Sequence, residues 1–383
     1  MDPGLNPYTP GSGRKPPSLQ GRDSEVDAFD LLVAKAGNRV YDRGMMLTGL
    51  RGVGKTSLLN HLRVHAENHG WYTVDLEAQT STGNPLINHK RLAAGLKQGL
   101  RRYSRKHQLG QLAEQIGQII EGSSLTVGPV SVSAPPADES DIFVDLEELI
   151  EAVCTYARRS GTAFALFIDE MQDLDPVLLS ALVMAQHKAN QEDWAFYIIG
   201  AGLPSLPAVL SEARSYAERL FLYRIIGPLD KEQAHAALQD PAEQMGGGYT
   251  LEALDILGGA SEGYPYFLQE FGKAIWDLAP GIPFTSQDAE DALEIGRVQL
   301  DQGFYPSRWD RATPAERRYL RSIAQTGEAQ PKTASLSITQ NTAGPLRASL
   351  IKKGIVYSPE RGRIGFTVPG MAAFIERQAD DES

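Results

Sequence analysis

The stretch that most constrains the fold is Met-Met-Leu-Thr-Gly-Leu-Arg-Gly-Val-Gly-Lys-Thr-Ser-Leu-Leu, residues 45–59. It holds an octet, Gly49-Leu50-Arg51-Gly52-Val53-Gly54-Lys55-Thr56, of the form GxxxxGK[ST]. A short apolar run precedes it, and a helical pattern with Leu58, Leu59, Leu62 and Ala66 on one side follows it, which is the context such an octet needs. Glycines at 49, 52 and 54 let the backbone curl with positive φ and turn N–H groups inward. The first turn of the following helix adds partial positive charge at the same point. Phosphate groups would lie along Gly49 to Ser57, with the Lys55 amine reaching the terminal ones and the Thr56 hydroxyl offered to Mg²⁺. The bland alternative is a glycine-rich turn that contains a lysine by accident.

A phosphate loop of this kind needs a carboxylate at the same sheet edge. Ala163-Phe164-Ala165-Leu166-Phe167-Ile168 is apolar throughout, as a central parallel strand must be, and it delivers Asp169-Glu170 to its C-terminal end. Asp169 is placed to hold Mg²⁺ through water and Glu170 to polarise an attacking water. Taken alone, this could be a strand ending in acidic turn residues. Asp173 and Asp175 read as solvated helix-start residues.

The surrounding pattern alternates helix and strand. Helices are expected over 22–37, 56–68, 85–121, 141–160 and 176–190, and strands over 45–47, 71–76, 163–168 and 195–199. This alternation predicts an α/β fold with a parallel sheet. Residues 123–139 alternate apolar and polar before a proline pair, which predicts a β-hairpin or an extended insertion. After Gly227-Pro228 only helical patterns appear, over 230–244, 250–260, 264–278 and 286–300. Thr313-Pro314-Ala315-Glu316 is a capping box with proline at the first helical position. A short helix near 332–337, a helix near 342–353 and a strand–turn–strand over 355–368 follow it.

With 383 residues the chain exceeds one compact core and predicts two to three domains. The single cysteine, Cys154, excludes an intrachain disulfide framework or a cysteine-cluster metal site and falls on the inward side of a helix. No histidine has metal-ligand spacing. No apolar run is long enough to span a bilayer and no apolar region follows the first residues, so a cytoplasmic protein with no membrane contact is expected. The net charge of −11 argues against a chain that coats nucleic acid with its whole surface. Two segments are basic nonetheless. Residues 88–107 carry Lys90, Arg91, Lys97, Arg101, Arg102, Arg105 and Lys106 and no acid. That run is either a solvated helix face or a surface for a partner. Residues 313–377 carry ten Lys/Arg against four Glu, a local +6.

The blocks GLRGVGKTSLL, ALFIDEMQDLD, Gly21-Arg22-Asp23 and the helical segment after 228 resemble the AAA+ ATPases of the origin-recognition/initiator-like group, which grades into STAND-type signalling ATPases. The resemblance runs from about Leu19 to Arg377. It implies a P-loop AAA+ core, here with Walker A and Walker B motifs, then an all-α lid and a C-terminal winged helix. It implies ATP and Mg²⁺ as ligands, and Arg22 with the Tyr8 region beside the base and ribose. Arg219 falls where such ATPases place an arginine finger, which would reach the γ-phosphate of a neighbouring subunit in a homo-oligomer. An intrachain ion pair with Glu218 or Glu212 is the other reading of Arg219, and Arg214 is the second candidate for the finger. Two departures favour a slow switch. The strand at 195–199 runs into Gly-Ala-Gly-Leu where many relatives carry a polar sensor, with Ser205 the nearest hydroxyl. The lid helix opens Gly263-Tyr264-Pro265-Tyr266 without the sensing arginine, and in the STAND pattern Pro265 approaches the nucleotide.

The expected organisation is an extended segment (1–20), the ATPase core (21–227, with the basic helix and insertion at about 85–140), the lid (228–305), the winged helix (310–377) and an acidic tail (378–383). In a winged helix, Arg347, Lys352 and Lys353 on the third helix and Arg361 and Arg363 at the wing tip would meet double-stranded DNA. A protein partner is the alternative use of the same module. Two functions stand at this point: an ATP hydrolase using Lys55, Thr56, Asp169 and Glu170 and coupled to DNA, or an ATP-gated scaffold that binds a partner protein with little turnover.

Overall fold

The computed structural model describes residues 1–11, 18–80, 86–107, 114, 116–118, 120–121, 139–338 and 340–378. Residues 123–138 of the insertion expected at 123–139 and the acidic tail beyond 378 lie outside the described residues, and Glu139 already belongs to a helix. By contact the chain forms two units. One comprises Arg22–Gly49 with Lys55–Ile225, and the other Met1–Gly21, Leu50–Gly54 and Ile226–Ser383.

The first unit is built on a five-stranded parallel sheet: β1 (Gly44–Thr48), β2 (Tyr72–Glu77), β3 (Phe164–Asp169), β4 (Phe196–Gly202) and β5 (Phe221–Ile225), in the order β2-β3-β4-β1-β5. Every residue of β1 and β4 is buried, as strands covered on both faces must be. Parallel neighbours need crossover connections. Helices α1 (Asp23–Gly37), α2 (Lys55–Asn68), α3 (Ile87–His107), α4 (Glu139–Ser160), α5 (Pro176–Gln191) and α6 (Leu206–Ala213) accompany the sheet. Phe164, Phe196 and Tyr72 pack ring to ring across β2, β3 and β4 at 4.8 and 5.2 Å. Fully burying an apolar side chain of this size contributes about 1.5–3 kcal/mol. The strand order sets β4 between β1 and β3, so the phosphate loop and Asp169 leave the same sheet edge.

Two elements were not legible in the sequence. β5 is an edge strand in which only Phe221 is fully buried and Ile225 is 84% exposed, so it lacks the continuous apolar run of a central strand. Strand β4 continues past Ile199 through Gly200 to Gly202. A Cβ on Gly200 would lie 2.6 Å from Met46 Sδ and 2.7 Å from Met171 Sδ, so those residues are strand glycines chosen for close packing.

The basic helix α3 lies on β2 through Gly95 and Gly99. A Cβ at these positions would come within 2.9 Å of the Asp75 carbonyl and 2.5 Å of the Thr73 carbonyl. Several of its cations are answered inside the unit: Arg102 by Asp75 at 2.9 Å, Lys97 by Glu121 at 3.6 Å and Arg91 by Glu77 at 4.0 Å. His89 is buried and sets Nε2 3.1 Å from both oxygens of Asp175, which also caps α5 by accepting the Leu178 N–H.

The second unit is helical, with α7 (Lys231–Gln244), α8 (Leu251–Ala260), α9 (Pro265–Leu278) and α10 (Ser286–Gln299). Asp230 and Thr285 close full capping boxes on α7 and α10. The N-terminal segment is tied to α9: Met1 to the Ala279 carbonyl, Trp276 Nε1 to the Asp2 carbonyl, and Asn6 to Asp277. A π-helical turn at Leu300–Phe304 and the short α11 (Pro306–Trp309) lead into α12 (Pro314–Ala324), a 3₁₀ turn at Thr333–Ser335, α13 (Gln340–Lys352), an antiparallel hairpin of β6 (Val356–Tyr357) and β7 (Gly365–Phe366), and α14 (Met371–Arg377). The Thr313–Glu316 box forms as the sequence implies. No helix among the described residues is long and apolar enough to cross a membrane.

Candidate nucleotide site

The phosphate loop starts at the end of β1, where the Gly49 N–H donates to the Gly202 carbonyl of β4 at 3.2 Å. Gly52 and Gly54 take φ of +84° and +90°, a conformation that side chains beyond glycine rarely adopt. Lys55 opens α2 and is only 7% exposed, and its Nζ donates back to the Gly49 carbonyl at 3.0 Å. The amine is therefore turned back onto the end of β1. Residues Leu50–Gly54 make their contacts within the helical unit. There the Arg51 N–H donates to the Thr367 carbonyl at 3.2 Å and the Tyr266 N–H donates to the Gly52 carbonyl at 3.4 Å. Pro265, the first residue of α9, stands 3.9 Å from where a Gly54 Cβ would be.

At the end of β3, Thr56 Oγ1 donates to Asp169 Oδ2 at 2.6 Å. The hydroxyl and the carboxylate expected to share a metal thus meet across residues 113 apart in the chain. Burial raises the Asp169 pKa above the usual carboxylate value. The Thr56 hydroxyl opposes this, the Glu170 charge adds to it, and the Glu170 N–H and Lys55 oppose it more weakly. A hydroxyl and one carboxylate are hard oxygen donors, the chemistry Mg²⁺ prefers when phosphates complete its shell. Among the described residues no set of three His, Cys, Asp or Glu side chains converges as a metal cage, and a phosphate-borne Mg²⁺ needs none.

Glu170 sits at φ 48° and ψ 41°, left-handed for a residue that has a side chain. Its N–H donates to Asp169 Oδ1 at 2.9 Å. Its carboxylate accepts from Gln172 Nε2 at 2.5 Å, and Gln172 Oε1 accepts the Leu203 N–H at 3.0 Å. Gln172 is the residue that reading the sequence missed. The signal was present in the bare Gly-Ala-Gly at the end of β4, because a Cβ on Gly202 would lie 2.5 Å from Gln172 Oε1.

The remaining candidates fall in varied surroundings. Arg22 is buried and precedes α1; burial lowers its pKa and Glu25 opposes the shift. Tyr8 is 2% exposed, donates to the Leu238 carbonyl and shares a 2.7 Å hydrogen bond with the Tyr249 hydroxyl, so its phenol is engaged within the helical unit. Arg219 is exposed at the end of a 3₁₀ turn, and among the described residues it makes no ion pair. Arg214 Nη2 lies 3.0 Å from Met184 Sδ. In the C-terminal module, Arg347 donates to Ser358 Oγ at 2.7 Å, Lys353 pairs with Glu316 at 2.5 Å, and Arg363 pairs with Glu360 at 2.8 Å and donates to the Gln330 carbonyl. Lys352 and Arg361 are exposed.

Residues 302–375 match a domain of unknown function (DUF8462), and residues 18–198 match the AAA ATPase domain family. Comparison with curated proteins gives no match. Among solved structures, the Walker-type ATPase PABY2304 of Pyrococcus abyssi is 16% identical, with 97% of this chain and 99% of that chain covered and a TM-score of 0.64. The RuvB Holliday junction branch migration motor of Thermotoga maritima is 15% identical over 95% of this chain and 99% of that one, with a TM-score of 0.49. The Aeropyrum pernix Orc1 protein, solved in complex with DNA, is 15% identical over 94% and 92%, with a TM-score of 0.47. The first likeness is one of fold, and the other two are too loose in shape to carry an argument. Residues 18–198, which match the AAA ATPase domain family, hold both the Gly49–Thr56 octet and the Asp169–Glu170 strand end.

Proposed function

We propose that the protein is a nucleotide-dependent switch that binds ATP with Mg²⁺, hydrolyses it to ADP and phosphate, and couples this cycle to duplex DNA through its C-terminal module. The observation that carries the reading is the 2.6 Å contact between Thr56 and Asp169, the residues that follow Lys55 and precede Glu170 in the chain. The Lys55 amine would hold the phosphates, and Thr56 and Asp169 would hold Mg²⁺, which would neutralise charge on the leaving oxygens. Glu170 would take a proton from water as that oxygen bonds to the terminal phosphorus and the bond to the ADP oxygen breaks. Arg219, exposed and unpaired by any carboxylate among the described residues, is available to a second copy of the chain.

The C-terminal run of helix, short turn, helix and two-stranded hairpin supports a winged-helix reading. Lys352 and Arg361 are then the side chains offered to DNA phosphates, while Arg347, Lys353 and Arg363 brace the module. A second reading, an ATP-gated scaffold for a partner protein, is favoured by the bare glycine end of β4 and by α9 opening on Tyr264-Pro265-Tyr266. Steady-state ATP hydrolysis by wild type, Lys55→Ala and Glu170→Gln, with and without duplex DNA, tests the choice. The hydrolase reading expects Lys55→Ala to lose nucleotide binding, and Glu170→Gln to retain ATP while losing about 10²-fold or more in turnover. Wild type that binds ATP without turnover, and ignores DNA, leaves the scaffold reading.

A further inference from the structure

Gln172 is bonded at both ends of its amide. Nε2 donates to Glu170 Oε2 at 2.5 Å and Oε1 accepts the Leu203 N–H at 3.0 Å. The partners decide which end is which, because a reversed amide would set its oxygen against a carboxylate and its NH₂ against an N–H. Strand β4 leaves the space for this amide by ending in Gly202, whose Cβ would lie 2.5 Å from Gln172 Oε1 and 2.9 Å from Leu206 Cδ2. Glu170 enters the same cluster with a left-handed backbone fixed by its own N–H to Asp169. The strand end that lacks a polar side chain of its own is thus filled by the amide of a residue from the turn after β3.

We propose that Gln172 is the positioning residue for Glu170: it aims the carboxylate by one charge-assisted hydrogen bond and anchors that aim to the backbone of β4 at Leu203. The proposal rests on Glu170 acting as the base for ATP hydrolysis. A free glutamate side chain samples several rotamers, and displacing a reacting group by about 1 Å can cost about 10²-fold in rate. Gln172 acts through Glu170, which it holds, and not on the reacting atoms. Its contribution is to the chemical step and not to affinity.

The test measures single-turnover ATP hydrolysis, and the binding of a fluorescent ATP analogue, for wild type, Gln172→Ala, Gln172→Glu, Gly202→Ala and Glu170→Gln/Gln172→Ala. Gln172→Ala is expected to slow hydrolysis about tenfold to a hundredfold while nucleotide affinity stays within about threefold. Gln172→Glu keeps the size and the oxygen toward Leu203 but replaces the donor with a like charge, so it is expected to fall at least as far. Gly202→Ala displaces the amide from the β4 side, and its loss is expected to merge with that of Gln172→Ala in a Gly202→Ala/Gln172→Ala double variant, measured alongside, instead of multiplying it. On the Glu170→Gln background, Gln172→Ala is expected to cost nothing more. Wild-type rates in both Gln172 variants, a parallel loss of ATP affinity, or an undiminished further loss on Glu170→Gln overturns the assignment. If Gln172→Ala melts far below wild type, the isosteric Gln172→Glu decides. Wild type that turns over no ATP removes the hydrolase reading and this role with it, whereas active wild type with silent Gln172 variants removes this role alone.

Discussion

Asp169 at the sheet edge and Glu316 in the C-terminal module both accept a hydroxyl hydrogen bond and a backbone N–H, yet their pKa values move in opposite directions. Burial raises Asp169, the neighbouring Glu170 adds to the rise, and the Thr56 hydroxyl and more distant Lys55 do not cancel it. Burial also works to raise Glu316, but the Lys353 ammonium, Ser349 and Thr313 outweigh it and hold the carboxyl down at about 2. The difference lies in the counter-charge. Glu316 carries its cation inside the fold, with Lys353 Nζ at 2.5 Å, while the nearest amine to Asp169 is turned onto the Gly49 carbonyl. A carboxylate folded with its partner is a fastener. One folded without a paired cation is costly unless a cation arrives with a ligand, and that marks it as a candidate for function.

The most forceful way to break this comparison is Asp169→Asn. It preserves the shape and an acceptor for Thr56 but removes the charge that would meet Mg²⁺. Mg²⁺-dependent ATP turnover is expected to fall about 10²-fold or more, with little change in melting temperature. Fluorescent-nucleotide binding with and without Mg²⁺ would show the loss confined to the Mg²⁺-dependent part. Equal loss in both, or a collapse in stability, would place Asp169 with Glu316 among the fasteners.

Glu316→Gln sharpens the other side. The folded value near 2 lies below the ordinary 4.5, so this group's contribution is complete above pH 4.5 and is lost as pH falls from there toward 2. The linkage corresponds to about 3 kcal/mol, an order-of-magnitude figure for a side chain only 2% exposed. Glu316→Gln is therefore expected to lower stability at pH 7 by about 2–3 kcal/mol in denaturant titrations. Its stability should then decline less than that of wild type between pH 4.5 and 2. ATP binding by the folded variant should be unchanged.

What could be read in the sequence follows the same division. The octet at 49–56 and the apolar strand ending in Asp169 announce themselves because local spacing and a continuous apolar run suffice to define them. The helices after 228 and the capping box at Thr313 were legible for the same reason. Strand β5 was not, because an edge strand need not be apolar on both faces. Gln172 was not, because its value depends on Leu203 and on the missing Cβ of Gly202, which only the β3–β4 pairing brings to it. The charges of the C-terminal module were legible as a count and not as a function. Arg347, Lys353 and Arg363 share a sequence pattern with Lys352 and Arg361, and only the fold separates those bonded to Ser358, Glu316 and Glu360 from those left exposed.

That separation sets the smallest effect and the finest test of the comparison. If the exposed cations meet phosphates, Lys352→Ala and Arg361→Ala should each weaken duplex DNA binding a few-fold and uniformly across sequences. Each should also reduce the slope of log affinity against log salt by about 0.9, one counterion's worth. Lys353→Ala removes the same charge from the adjacent position, but its ammonium is already answered by Glu316, so it should leave the slope nearly unchanged and lower the melting temperature instead. Fluorescence anisotropy at four or five salt concentrations, with a thermal melt of each variant, measures both quantities. Equal slopes for Lys352→Ala and Lys353→Ala would mean that Lys353 leaves Glu316 to meet DNA, and the line between fastener and contact would then move with the ligand. Slopes unaltered in all three would take DNA away from this face and leave the hairpin and α13 to a protein partner.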